Sequence, residues 1–190
     1  MKNTLIIILG SFLLVSCGIQ SIPQGQNRLE AEWAEVQNQY KRRNDLIPNL
    51  VNSVKGYAKH ESGTLEAVVN ARSKATQITI DPKNLTEESL KRFSQAQGEL
   101  SQALGKLMML KESYPDLKAD ENFRSLQAQL EGTENRIAIA RRRYIESVQE
   151  FNNLVTVFPT SMTNSLFFKL EKKPQFTIDE AETKVPQVQF

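Results

Sequence analysis

The chain has 190 residues with 24 basic and 22 acidic side chains, which gives a formal net charge of +2. This length suits one domain with a sizeable core, and the near-neutral charge argues against a nucleic-acid partner. The single cysteine, Cys17, excludes an internal disulfide. Gly and Pro are sparse in the middle of the chain, where Ala, Leu, Glu, Gln, Lys and Arg dominate, so we expect helices there.

The first residues have the pattern of a bacterial export signal. Lys2 precedes an almost wholly apolar run over residues 5–15, which is shorter than the roughly 20 residues that a membrane-spanning helix needs. The run ends in Leu-Val-Ser-Cys, which resembles the lipobox, where cleavage leaves a lipidated cysteine as the mature N-terminus. We predict a lipoprotein signal peptide over residues 1–16 and a Cys17 that carries acyl chains such as palmitate. The alternatives are an ordinary signal peptide and an uncleaved short anchor.

This anchor predicts where the protein lies. Residues 17–26 form a polar tether that contains Pro23 and Gly25. Two or more acyl chains hold a protein stably on a bilayer, so we expect attachment through Cys17 without spanning. The protein would face the non-cytoplasmic side of the bacterial envelope. Because Gly18 rather than Asp follows the cysteine, the outer membrane is favoured if the organism is Gram-negative.

The folded domain is predicted over residues 27–158, and its first part is a long amphipathic stretch. Apolar side chains recur at steps of three and four over residues 29–75, as in a helix with one buried stripe. Pro48 interrupts the stripe, because proline lacks an N–H and clashes with the preceding turn. Two interpretations stay open here. One helix kinks near Pro48, or one helix ends near Arg43 and a second begins with Asp45 as its cap.

Two more helices are predicted downstream. Residues 77–85 form a connection, because the residue before Pro82 is biased away from helix. The next helix begins with Thr86 as its N-cap and extends to about Lys111. Pro115 stops its continuation.

The last helix begins near residues 119–120 and ends near Val157, and residues 159–190 then lack a helical period. We interpret that segment as an extended tail whose aromatic side chains pack on the bundle, with a partner-binding segment as the alternative. The predicted fold is therefore all-α, an antiparallel up-and-down bundle of three to four long helices with coiled-coil-like packing and an extended C-terminal tail.

The sequence offers little for catalysis. His60 is the only histidine, so a Ser-His-Asp arrangement would depend on it, and Glu61 does not continue into a zinc-binding HExxH motif. The Glu-x-x-His pairs of di-iron bundles are absent. We therefore predict no enzymatic activity, no metal and no cofactor, and regard a hydrolase that uses His60 as a remote alternative.

Two basic triplets, residues 41–43 and 141–143, fan around their helices and cannot each form one patch. Arg43 shares the phase of the apolar stripe, so we predict that it turns inward and pairs with a polar partner. The candidate partners are Asp45, Glu61, Glu134 and Asn135. The functional alternative is contact of the triplets with acidic lipid headgroups.

Several motifs occur in the order found in the LemA family. They are RRNDLIPNLV at residues 42–51, VKGYA at 54–58, YPDLKA at 114–119 and ENRIA at 134–138. Further pieces are His60-Glu61, Ala71-Arg72, Asn122-Phe123, Leu126-Gln127, Ala140-Arg141, Tyr144, Phe151-Asn152, Phe158-Pro159, Phe167-Phe168, Phe176 and residues 188–190. Residues 25–190 thus resemble a LemA-type protein.

The resemblance implies a bacterial helical bundle on the non-cytoplasmic side of a membrane, without an established activity or cofactor. One branch of the family serves in magnetosome membrane formation. This chain departs in two places. Its lipobox-like Cys17 stands where the family usually has an uncleaved membrane helix, and Ile145 follows Tyr144 where the family tends to have Asn.

The sequence therefore predicts a non-enzymatic, membrane-anchored envelope lipoprotein of the LemA type that acts as a protein-interaction or membrane-organising module. Other envelope proteins are the expected partners. The alternative is a ligand-binding or sensing bundle with a pocket among Trp33, Tyr40, Tyr57 and Tyr144. The candidate residues for a partner-binding or structural motif are Arg42, Arg43, Asp45, Pro48, Asn49, Glu61, Arg72, Arg141 and Tyr144.

Overall fold

A computed structural model describes residues 2–58 and 60–176, with side chains from residue 19 onward. The α-helices are α1 (Lys2–Tyr57), α2 (Ser62–Gln77), α3 (Glu87–Met109), α4 (Pro115–Ala119), α5 (Glu121–Thr156) and α6 (Thr160–Thr163). Short 3-10 turns lie at Pro82–Asn84 and Leu110–Glu112, and a π-helical turn spans Asn164–Phe168. No strand occurs in these ranges, which confirms the all-α prediction.

The four long helices form an up-and-down bundle. α1 and α5 run antiparallel along most of their length, because Arg28 pairs with Glu150 near one end and the Tyr57 hydroxyl donates to Asp120 at the other. α2 returns beside the second half of α1, and α3 packs antiparallel to α2. We call the end of the bundle that contains Arg28 and Glu150 the upper end. The end that contains the α1–α2 turn is the lower end.

α1 is continuous through Pro48, which settles the open question of the first helix in favour of one helix. The prediction of a tether over residues 17–26 is wrong, because these residues belong to α1 and Ile22 is fully buried. Pro48 lies on the exposed side of α1, so its ring meets solvent rather than a neighbouring helix. The chain reverses further on, between Tyr57 and Ser62, where Glu61 N–H donates to the Ala58 carbonyl at 3.1 Å. Among the described residues, no helix is both long and apolar enough to cross a bilayer.

The predicted starts of α3 and α5 are confirmed by their caps. Thr86 Oγ1 accepts from the Ser89 N–H at 3.1 Å, and Ser89 Oγ accepts from the Thr86 N–H at 3.0 Å, which completes a capping box. Asp120 caps α5 by accepting from the Phe123 N–H at 2.7 Å. Pro115 does more than stop α3, because it occupies the first turn of α4.

The C-terminal segment differs in part from the extended tail that the sequence predicts, because its first turns, through Phe168, are helical. Asn164 explains this difference. Its buried side chain donates to the carbonyls of Val155 and Leu170 and accepts from the Leu170 N–H, which folds the chain back on α5. Residues 169–176 then continue without helix along the bundle, where Asn152 exchanges two hydrogen bonds with Lys173.

Docking of tail aromatics on the bundle is confirmed for Phe176, which is buried, whereas Phe167 is 62% exposed. Phe190 lies outside the described residues.

Two hydrophobic clusters fill the bundle, one above the other. The upper cluster is rich in aromatic side chains and includes Trp33, Phe93, Tyr144 and Phe176. The lower cluster is mainly aliphatic and draws on five helices, α1 to α5, with residues such as Leu50 on α1 and Leu117 on α4. Arg43, which we describe next, lies where the two clusters meet.

Candidate functional site

Arg43 is buried between the two clusters, with 1% of its surface exposed. The guanidinium donates to Glu134 Oε1 at 2.9 Å, to Ser101 Oγ at 2.8 Å and to Gln97 Oε1 at 2.6 Å. It also lies 5.0 Å from the centre of the Tyr40 ring. The predicted inward turn of Arg43 is therefore confirmed, and Glu134 is its carboxylate.

Several contacts offset the cost of burying this charge. Taking one guanidinium out of water costs several kcal/mol unless hydrogen bonds replace its hydration. Glu134 lies at the rim of the bundle with its side chain 46% exposed, so water screens that ion pair. The neutral partners Gln97 and Ser101 accept from the terminal nitrogens, whereas Nε has no partner among the described residues. The Arg43 layer thus fixes α1, α3 and α5 in one register, because only one alignment brings these four residues together.

A second set of polar contacts explains how α1 continues through Pro48. We call this set and the Arg43 layer the two polar joints. Because proline has no N–H, the carbonyl of Asn44, four residues earlier, lacks its usual helical donor. The Arg72 Nε on α2 donates to that carbonyl at 2.8 Å. Arg72 thereby replaces the missing backbone hydrogen bond and ties α2 to α1 at the same level as the Arg43 layer.

The nine predicted motif residues do not form one surface. Arg43, Pro48 and Arg72 belong to the two polar joints, whereas Glu61 lies at the lower end and accepts from the Tyr114 hydroxyl at 3.3 Å. The pKa of the Tyr114 phenol is raised, first by burial and then by the charge of Glu61.

Two of the nine lie in the upper half. Tyr144 is fully buried and donates to the Pro174 carbonyl at 3.3 Å, and burial raises the pKa of its phenol. The Arg141 guanidinium lies 4.8 Å from the centre of the Phe176 ring. Both residues therefore hold the tail against the bundle.

The remaining three motif residues face outward. Arg42, Asp45 and Asn49 are exposed on one side of α1, at steps of three and four. We call them the outer stripe. Grooves of about 400 and 390 Å³ border the stripe; Asp45 lines the first and Asn49 the second.

One residue that lines the first groove, Asn44, has a buried oxygen without a hydrogen bond among the described residues. Asn44 is 6% exposed and lines this groove, yet its Oδ1 atom has no hydrogen-bond partner within the described part of the chain. Buried acceptors are nearly always paired, so this enclosed oxygen is an unsatisfied acceptor beside the groove. Lys41 lines the same groove and, with Asp45, places one charge of each sign there.

Of the four aromatic residues predicted to surround a pocket, Trp33, Tyr40 and Tyr144 lie together in the upper cluster, whereas Tyr57 does not. Trp33 packs against Tyr144 and Phe176, with ring centres 5.2 and 5.9 Å apart, and Tyr40 packs edge-on against Phe93 at 5.1 Å. Tyr57 lies at the opposite, lower end. The aromatic cluster is filled by its own rings, and this correction removes the basis for a ligand pocket inside it.

Tyr57 instead forms a pair at the lower end. Its hydroxyl donates to Asp120 at 2.9 Å, and this hydrogen bond raises the pKa of the Tyr57 phenol. The pKa of Asp120 is lowered, first by the N–H of Phe123 and then by Tyr57. Sequence reasoning missed this pair, although Asp120 is the cap of α5.

His60 is exposed in the α1–α2 turn. Across the part of the chain that the structure describes, no three His, Cys, Asp or Glu side chains converge as metal ligands would. Cys17 lies on the helical backbone of α1, and its side chain is outside the described set.

Comparison with known proteins identifies relatives of this chain. A sequence profile described as "LemA family" matches residues 32–190. The protein called Protein LemA of Metamycoplasma hominis is 24% identical over 187 residues, which cover 94% of this chain and 82% of that protein. The matched region contains every motif residue described above except Cys17.

Proposed function

The chain belongs to the LemA family, and from that premise we propose that it is a non-enzymatic bundle held on a bacterial envelope membrane, where it binds other envelope proteins. The acylated Cys17 is the anchor in this proposal. The protein faces the non-cytoplasmic side, on the outer membrane if the organism is Gram-negative. Its binding face is the outer stripe of α1 with the groove beside Asn44.

One observation carries the binding role. The motif at residues 42–51 divides between two sides of α1: Arg43 holds the bundle together, whereas the outer stripe takes no part in the core. The charged side chains of a peptide laid in the groove would meet Lys41 and Asp45.

The same groove supports the alternative function, a sensing bundle with a small ligand. The filled aromatic cluster leaves only the surface for such a ligand. A groove open to solvent buries less of a small molecule than the deep pockets that usually hold one. We therefore favour a protein partner.

Photo-crosslinking in cells tests the binding face. A photoreactive amino acid is placed at Asp45, in the groove, and at Gln102, an exposed residue of α3, as the matched control. We expect a discrete envelope protein to crosslink at Asp45 and not at Gln102. Equal products from both positions, or none from either, would contradict the proposed face.

Cell fractionation tests the anchor. Cys17→Ser removes the acceptor thiol, so we expect the variant to leave the membrane fraction while its circular dichroism spectrum stays helical. A variant that remains in the membrane after a high-salt wash to the same extent as the unmutated protein would contradict lipid anchoring and indicate an uncleaved anchor.

A further inference from the structure

An apolar patch is exposed at the upper end of the bundle. Five of the ten large hydrophobic side chains that are exposed in the described region lie within residues 157–167, so the exposure is concentrated in one short segment. They are Val157, Phe158, Met162, Leu166 and Phe167, each more than half exposed. Soluble monomers seldom expose such clusters unless they bind something.

The local structure holds these side chains outward. Thr163 and Asn164 are buried beneath the same turns, and Asn164 fixes them through its bonds to Val155 and Leu170. Met162 and Leu166, four residues apart, consequently occupy the opposite side and together line a shallow groove. The exposure therefore follows from a fixed conformation.

The patch lies at the end of the bundle from which the N-terminal segment departs. A Cβ atom on Gly25 would come within 2.6 Å of Leu154 Cδ1, so α1 and the end of α5 touch there. Cys17 precedes Gly25 by eight residues on the same continuous helix, about 12 Å along its axis. α6 packs on α1 as well as on α5, and the exposed Ile19 belongs to this end.

We propose that residues 157–167 insert into the interface of the lipid bilayer and give the protein a second membrane contact beside its anchor. Exposed aromatic and aliphatic side chains of a short, partly helical segment suit the boundary between headgroups and acyl chains. Lys169 and Lys172 follow the patch, are exposed, and can meet lipid phosphates. This inference rests on the proposed anchoring at Cys17, because that anchor brings the patch to the membrane.

Site-specific fluorescence tests the contact in the intact, lipidated protein. Acylation blocks Cys17, so Leu166→Cys introduces one reactive thiol for an environment-sensitive dye. Met109→Cys is the matched control, since Met109 is equally exposed (69% against 65%) and ends α3 at the lower end. The labelled proteins are placed in vesicles of phosphatidylethanolamine and phosphatidylglycerol, with and without lipids brominated near the headgroup.

We expect the dye at Leu166 to shift to shorter wavelength and lose roughly half of its emission to brominated lipid, because interfacial side chains lie about 5–10 Å deep. The dye at Met109 should keep the emission wavelength that is typical of water. Emission typical of water at both positions, in protein that still floats with the vesicles, would overturn the inference and leave the anchor intact. Unmutated protein that takes up the dye, or fails to float, would instead contradict the anchor.

A second variant distinguishes binding of the patch to a membrane from binding of the patch to a second copy of the chain. Met162→Ser, Leu166→Ser and Phe167→Ser are combined in the Cys17→Ser background, where the patch is the remaining contact. We expect residual vesicle binding of the Cys17→Ser protein to fall to background with unchanged melting temperature. A dimer that the serine changes dissociate, with no change in vesicle binding, would overturn the lipid assignment.

Discussion

The upper and lower halves of the bundle are built differently. The lower half is built on four long helices, α1, α2, α3 and α5, whose mainly aliphatic side chains are joined by Leu117 of the short α4. In the upper half α2 has ended, and its place is taken by the connection through Ile80 and by the tail through Phe176. The Trp33 Nε1–H donates to the Ile80 carbonyl at 3.3 Å, so even the connection is tied to the core.

This difference shows how non-helical chain can complete a helical bundle. Irregular segments lack the regular ridges of helices, and large aromatic side chains fill the uneven space that they leave. Trp33 is at the centre of that filling, with Phe93 at 5.5 Å and Tyr144 at 5.2 Å. The lower half needs no such filling because four helices surround it.

The largest effect is expected in the lower half. Leu50 is fully buried, so Leu50→Asp places an unpaired charge among aliphatic side chains and should cost more than about 4 kcal/mol, enough to unfold the domain. Thermal unfolding followed by circular dichroism measures this. The neighbouring exposed change, Asn49→Asp, should stay within about 0.5 kcal/mol. An unchanged melting temperature for Leu50→Asp would show that the lower core lies elsewhere.

The second-largest expected loss of stability distinguishes the buried phenylalanine of the tail, Phe176, from the exposed Phe167. Phe176→Ala removes a ring that packs against Trp33 and Tyr144, and should cost about 3 kcal/mol in free energy of unfolding. Phe167→Ala is the control, because that ring is exposed, and should change the free energy by less than about 0.5 kcal/mol. Urea unfolding of both variants gives the comparison. Equal losses would mean that the tail does not complete the upper core.

A smaller effect concerns the joint between the halves. Arg72→Ala leaves the Asn44 carbonyl without a donor and should cost about 1–2 kcal/mol. Pro48→Ala restores a backbone N–H to that carbonyl, so the same arginine change should cost less in that background. A double-mutant cycle measures this coupling. Strict additivity would show that Arg72 does not replace the hydrogen bond that Pro48 lacks.

The smallest effect is a dependence on pH at the lower end. The pKa of Asp120 is lowered in the folded chain, so its stabilising contribution is present above its unfolded pKa and is lost as pH falls through the folded value. We expect Asp120→Asn to flatten this part of the melting temperature profile below about pH 4, since Asn still caps α5. Asp45→Asn, on the outer stripe, serves as the control. A profile unchanged by Asp120→Asn would contradict the role of this pair.

Features encoded by neighbouring residues were predictable from the sequence. Thr86 and Asp120 each accept from an N–H three residues later, so local spacing indicated where α3 and α5 begin. The inward turn of Arg43 followed from its phase within the apolar stripe. Gln97 is likewise a polar residue at a position of α3 where the spacing predicts an apolar one. Because 54 residues separate it from Arg43, the sequence did not indicate that the two side chains pair.

Features that depend on distant residues were not predictable. Continuity at Pro48 depends on Arg72, which is 28 residues from Asn44 and reaches it only because α2 folds back. The helical turns after Pro159 depend on the tertiary burial of Asn164, whose surrounding sequence has no helical period. The outer stripe was named among the motif residues, yet its separation from the inward residues required the actual rotation of α1.

The continuity of α1 also determines how far the protein reaches. Forty residues separate Cys17 from Tyr57 on one unbroken helix, a rise of about 60 Å. A bundle anchored at its upper end and standing upright would hold Tyr57 and the α1–α2 turn that far from the bilayer, with Asp45 at about two thirds of the height. Under the proposed function, a partner fixed in another layer of the envelope would have to come within this distance, and lengthening α1 by whole turns would alter the reach without altering the proposed binding face.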